Sequence, residues 1–250
     1  MLGTRTDLVY VEPYGGMANI LLARPRSRVE IICDTNGLVT DWWLSVIEPD
    51  ERRQLEQRLR FTPTRVEGVL REALHVGEDL TAPRAVRAWA LAVVARCSFM
   101  AADGDRTDLA VSFAQTPSGF DAIELDRLAE RMRDVQVISG DGVELMQKLV
   151  ERVDTLVYAD PPYAGAAEPL YGQHSDFRRG EMLEAMLAMR GRCAVSGTPD
   201  DWPELEKAGW DLKEMRITSK PGHGSSRTRV EALWRNPLLA EEASTQLRLL

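Results

Sequence analysis

Four consecutive residues, Asp160-Pro161-Pro162-Tyr163, carry the most specific chemistry in the chain. They follow a short apolar run, Thr155 to Ala159, with an acid, two prolines and an aromatic ring. That set suits methylation of an exocyclic amine on a flat base. The amine nitrogen of adenine is a poor nucleophile because its lone pair is spread into the ring. A carboxylate and a backbone carbonyl that accept its two hydrogens draw the nitrogen toward tetrahedral geometry and free the lone pair. Asp160 is the candidate carboxylate and Pro161 the candidate carbonyl. Pro162 stiffens the turn, since a proline ring fixes φ and pushes the preceding residue to extended geometry. Tyr163 offers a face for stacking, worth roughly 1–3 kcal/mol per base. The same tetrapeptide is also readable as plain punctuation after a buried strand, so its meaning depends on what surrounds it.

Two further constellations are of the kind that positions a nucleotide-like ligand. Leu8-Val9-Tyr10-Val11-Glu12 is a continuously apolar strand, as in a buried parallel sheet. It runs into Pro13-Tyr14-Gly15-Gly16-Met17-Ala18-Asn19 and then the apolar segment Ile20 to Ala23. Strand, glycine turn and helix let backbone approach a ligand closely. The next strand, Val29 to Cys33, ends at Asp34, where an acid commonly accepts hydrogen bonds from ribose hydroxyls. Asp34 also fits the simpler role of a helix cap. A third strand, Val135 to Ile138, leads to Ser139-Gly140-Asp141-Gly142, in which Asp141 either contacts an adenine amine or caps the helix from Gly142 to Val150.

These segments resemble the Dam-like adenine-N6 DNA methyltransferases, especially the short forms of phages and prophages. The matching residues are Tyr10 to Gly16, Pro25 to Glu30, Asp34 to Gly37, Asp160 to Tyr163, Val195 to Gly197 and Arg229 to Trp234, in the family's order. The resemblance runs from Leu8 to Asn236. It implies an α/β fold: a seven-stranded, Rossmann-like methyltransferase sheet with a helical insertion, binding S-adenosyl-L-methionine (AdoMet). It also implies that Tyr10, Glu12, Pro13, Tyr14, Gly15, Gly16, Asp34, Asn36, Asp141, Gly142 and Asp160 form the cofactor site. Asp160, Pro161, Pro162 and Tyr163 then form the pocket for a target base flipped out of double-stranded DNA, at a few kcal/mol of unstacking. No metal is implied. The family's Gly-Gly-Lys segment before the first strand has no counterpart within Met1 to Asp7. Met17 and Asn19 stand in the turn where many relatives carry small residues.

The expected organisation is an AdoMet-binding catalytic domain over 1–47 and 134–236, a helical insertion over 48–133 and a tail over 237–250. Within the insertion, helices are expected over Pro49–Leu59, Pro63–Leu74, Pro83–Phe99 and Glu124–Asp134, with proline at three of the starts. Target recognition is expected there by resemblance, with Arg96, Ser98, Arg106, Ser112 and Gln115 within reach of DNA. Downstream, helices over Glu181–Met189 and Asp201–Lys207 alternate with strands over Arg192–Ser196, Leu212–Ile217 and Arg229–Trp234, as a doubly wound sheet requires. The tail reads as a short helix or a frayed end.

A net charge of −8 argues against a broad nucleic-acid-binding surface but allows a locally basic contact face. Arg216, Lys220, Arg227 and Arg229, around Pro221 to Ser226, form the candidate face, and a solvated hairpin is the alternative. Cys33, Cys97 and Cys193 lack zinc-ligand or disulfide-framework spacing, which favours a reducing compartment. A monomer in the cytoplasm or nucleoid of a bacterial host is expected, with no membrane span. Three functions stay open: an adenine-N6 DNA methyltransferase, an RNA or other amine methyltransferase, and a catalytically silent nucleic-acid-binding protein of this fold.

Overall fold

The computed structural model describes residues 5–63, 67–100, 120, 123–162, 178–219 and 227–248. The chain forms two compact units. Of the described residues, the first contains those within 5–35 and 135–248, and the second those within 36–134.

The first unit is the expected seven-stranded, Rossmann-like α/β sheet. Its strands are β1 (Val9–Glu12), β2 (Val29–Asp34), β3 (Val135–Ser139), β4 (Thr155–Ala159), β5 (Arg192–Gly197), β6 (Asp211–Ser219) and β7 (Arg227–Arg235). They lie in the order β3-β2-β1-β4-β5-β7-β6. The first five are mutually parallel, while β7 runs antiparallel to both β5 and β6. Helices α1 (Asn19–Ala23), α7 (Gly142–Leu149) and α8 (Arg179–Ala188) connect the parallel strands of this unit, and α9 (Pro203–Lys207) follows β5.

The period-2 alternation of strand side chains divides β1, β4 and β5 between two faces. Val9, Val11, Val157, Ala159, Cys193 and Val195 join one buried apolar cluster with Val143, Met146, Met182, Met186, Trp202 and Trp234. The alternate residues, among them Tyr10, Glu12, Tyr158 and Ser196, fall on the other face. The tail is a regular helix, α10 (Pro237–Arg248). Its start is pinned by Asn236, which accepts from the Cys193 and Leu239 N–H groups at 3.2 Å and donates to the Gly191 carbonyl at 2.7 Å.

The second unit is helical: α2 (Gly37–Ile47), α3 (Pro49–Arg60), α4 (Glu67–Glu78), α5 (Arg84–Met100) and α6 (Leu125–Met132). Helix α5 packs against α2, α3 and α4. Arg87 of α5, 6% exposed, binds Asp41 Oδ2 through Nε at 2.6 Å and the Asp79 carbonyl through Nη1 at 3.0 Å, so its buried charge is paired and hydrogen-bonded. The second unit begins at Asn36, upstream of the expected boundary at residue 48. Helix α2 packs with α3, α5 and α6, and buries Val39, Trp42, Trp43 and Val46. The expected helices from residue 49 onward all form, with ends that coincide or shift by up to four residues.

Candidate active site

The strand order reverses direction at β1, which has β2 on one side and β4 on the other. In an open parallel sheet, ligands bind outside the carboxyl ends of the strands at such a switch point. The turn after β1 and the turn after β4 lie there, and these are the two segments singled out by their residue types.

The turn after β1 is strained and tightly packed. Gly16 has φ +45 and Ala18 φ 51, both left-handed. For a non-glycine residue this costs about 1–2 kcal/mol, and such outliers persist where the surroundings over-determine the backbone. The Gly15 N–H donates to the Cys33 carbonyl at 2.8 Å, and the Ala18 N–H donates to the Gly15 carbonyl at 2.7 Å. A Cβ on Gly15 would stand 3.0 Å from Ile32 Cβ, whereas a Cβ on Gly16 would meet nothing within 4 Å. Gly15 thus serves packing, and Gly16 borders open space.

Asp34, at the end of β2, accepts from the Gly16 N–H through Oδ2 at 2.9 Å. The acid therefore shapes the turn. Asn36 accepts from the Leu38 N–H at 2.9 Å and caps α2. Asp141 caps α7, accepting at Oδ1 from the Val143 N–H (2.7 Å) and the Glu144 N–H (3.3 Å), and it pairs with Arg178 Nη1 at 3.1 Å through Oδ2. Burial acts to raise the Asp141 carboxyl, yet Arg178 and the two backbone donors hold it below its ordinary range. Gly142 is required by close approach, because a Cβ there would lie 2.3 Å from the Pro13 carbonyl oxygen and 3.1 Å from Tyr14 Cζ.

Tyr10 is fully buried and Glu12 only 3% exposed. The Tyr10 ring is sealed in the sheet, with the Arg24 guanidinium 4.3 Å from its centroid. Its hydroxyl donates to Glu12 Oε1 at 2.7 Å. Burial lifts the Glu12 carboxyl to about 7, against the pull of the Tyr10 hydroxyl and a backbone N–H from Leu21, with the nearby charge of Asp160 adding to the rise.

Asp160 is exposed at the end of β4, followed by buried Pro161 and half-buried Pro162. Ser196 Oγ of β5 donates to Asp160 Oδ1 at 2.5 Å. In the sequence Ser196 stands within the triplet Val195 to Gly197, and its contact with Asp160 depends on strand register. Tyr163 lies outside the described residues.

The candidate basic face is only partly described. Arg216 is exposed on β6, opposite Val230 of β7. Arg227 and Arg229 occupy strand positions opposite Ser219 and Ile217. They belong to a hairpin longer at both ends than the expected strands. Lys220, and Arg106, Ser112 and Gln115 of the insertion, lie outside the described residues. Arg96 and Ser98 fall within α5, which describes their backbone positions alone.

Among the described residues, no group of three or more His, Cys, Asp or Glu side chains is arranged to hold a metal ion. No described helix is long and apolar enough to cross a membrane.

No protein-family model matches this sequence, and no curated protein matches it. Similar solved structures include a precorrin-6y C5,15-methyltransferase from Geobacter metallireducens, at 11% identity and a TM-score of 0.37, covering 94% of this chain and 82% of that one. The rRNA methyltransferase AviRa from Streptomyces viridochromogenes is similar at 15% identity and a TM-score of 0.39, covering 96% of this chain and 80% of that one.

Proposed function

We propose that this protein is an AdoMet-dependent methyltransferase that acts on the N6 amine of adenine in double-stranded DNA. The observation that carries the reading is the placement of Asp160 and the Gly15-Gly16 turn at the carboxyl ends of adjacent strands, β4 and β1, at the switch point of the sheet. The residues fit a nucleoside-bearing cofactor. Gly16 borders open space, Asp34 supplies a carboxylate at the end of β2, and the left-handed backbone at Gly16 and Ala18 keeps the turn compact. When bound, AdoMet supplies an electrophilic methyl group on a sulfonium.

The chain's own residues then act on the acceptor. Asp160 accepts one hydrogen of the target amine and the Pro161 carbonyl accepts the other, which concentrates the lone pair on nitrogen. Methylation would leave the amine cationic, and the Asp160 carboxylate beside it would stabilise that charge until the proton leaves to solvent. Positioning and electrostatics of this kind supply most of the acceleration in such transfers. The choice of adenine in duplex DNA rests on the resemblance carried by Asp160 to Tyr163 and its companion motifs.

The test is transfer of labelled methyl from AdoMet to unmethylated duplex DNA, with nucleoside analysis of the product and RNA as competitor. N6-methyladenine in DNA is expected. Label in RNA alone would replace the DNA substrate, and absence of both transfer and AdoMet-induced thermal stabilisation would overturn the methyltransferase reading.

A further inference from the structure

Asp160 is exposed at a strand end, where a side chain ordinarily samples several staggered χ1 wells. Here the Ser196 hydroxyl bonds to it, and the Tyr158 hydroxyl bonds to Ser196. Strands β4 and β5 pair in parallel, with Tyr158 opposite Ala194 and Ala159 opposite Val195. One further step along that register brings Asp160 opposite Ser196. Alternation sends Tyr158, Asp160 and Ser196 to the same side of the sheet.

Ser196 Oγ lies 2.5 Å from Asp160 Oδ1 and 3.2 Å from the Ala159 carbonyl oxygen, and the Tyr158 hydroxyl donates to the same Oγ at 3.2 Å. A serine hydroxyl has one proton and two lone pairs. With Tyr158 occupying a lone pair, the Ser196 proton is directed to the other side, where the shorter contact falls in the range of hydroxyl-to-carboxylate bonds. Donation into a hydroxyl also makes it a better donor, so the two bonds reinforce each other.

We propose that Tyr158 and Ser196 form a two-hydroxyl strut that fixes the rotation of the Asp160 carboxylate for the target amine. This assignment rests on the role of Asp160 proposed above. Neither hydroxyl touches the reacting atoms. Ser196 is a positioning residue, and Tyr158 acts through it. A misplacement of about 1 Å in such a group costs about a hundredfold in rate, which makes orientation, rather than the mere presence of a carboxylate, the quantity the strut controls.

The experiment compares wild type with Ser196→Ala, Ser196→Thr, Tyr158→Phe and the Ser196→Ala/Tyr158→Phe pair. It measures kcat, KM for duplex DNA, AdoMet affinity, and the three-bond NMR couplings that report the Asp160 χ1 rotamer. Ser196→Ala is expected to lower kcat about ten- to a hundredfold, with KM and AdoMet affinity little changed, and to average the Asp160 couplings. Ser196→Thr should restore both readouts. Tyr158→Phe should fall between, and the double variant should be no worse than Ser196→Ala alone. A single Asp160 rotamer in Ser196→Ala, averaged couplings in wild type, or unchanged kcat despite averaging would each overturn the strut. If wild type neither transfers a methyl group nor is stabilised by AdoMet, the methyltransferase reading fails by itself, and the couplings still decide whether the strut exists.

Discussion

The Tyr10 hydroxyl donates to Glu12 Oε1 across 2.7 Å, two residues apart on one face of β1, with both side chains buried. A buried carboxyl with a neutral hydrogen-bond partner is only partly compensated when ionised, and its proton is held more tightly than in water. The switch point thus has a titratable group directly behind the Gly15-Gly16 turn.

Glu12 should make stability fall as pH rises from its ordinary value of 4.5 to its folded value of about 7. In that window the unfolded chain has released the proton while the native protein retains it, so the native state binds more protons. The contribution is intact below the window and lost above it, by at most roughly 3 kcal/mol. Glu12→Gln cannot ionise and should gain stability relative to wild type across the window. Urea unfolding of both proteins at about pH 5 and about pH 8 measures this, and identical pH slopes would refute it.

Gly142→Ala should destabilise the protein by about 1–3 kcal/mol, because its Cβ would press on the Pro13 carbonyl oxygen, a backbone atom with no rotamer to yield. Thermal unfolding should register this as roughly 2–4 °C per kcal/mol. An unchanged melting temperature would mean that the contact between α7 and the turn relaxes freely.

Asp141→Ala should cost about 1 kcal/mol through loss of the α7 cap. Asp141→Asn should stay close to wild type, since asparagine caps as well as aspartate does. The pairing with Arg178 is partly exposed and adds little. Denaturation curves separate the variants, and equal destabilisation by both would place the weight on the Arg178 pair.

Asp160→Ala should lower methyl transfer by at least about a hundredfold, while AdoMet affinity changes much less, because the proposed contact is to the acceptor. The side chain is exposed, so unfolding should be little altered. Calorimetric titration with AdoMet beside a turnover assay checks both halves. Activity near that of wild type would remove Asp160 from the reaction.

The parallel strands were legible in the sequence because each is a short apolar run closed by an acid, a glycine or a proline, and β4 matches its expected bounds at both ends. The helices after residue 49 were legible from proline starts and apolar spacing. Helix α2 was not. Its buried positions 39, 40, 42, 43, 45 and 46 extend around the helix, so no clean stripe marks the period, and its cap residue Asn36 lies in a motif that the resemblance assigns to the cofactor. Asp141 was open between cap and ligand contact, and the hydrogen bonds show it capping α7.

By itself the sequence determined which residues stand at the strand ends: an acid at the end of β2 and another after β4, glycines after β1, and a third acid before α7. These follow from local order along the chain. Only the tertiary structure decided which of them meet. Strand order set β1 beside β4, parallel register brought Ser196 to Asp160, and the packing of α7 against the first turn left no room for a Cβ at Gly142. Residues 36 positions apart become neighbours through the β4–β5 register. That pairing is fixed by burying one face of each strand, because a one-residue slip would turn every apolar side chain of the core outward.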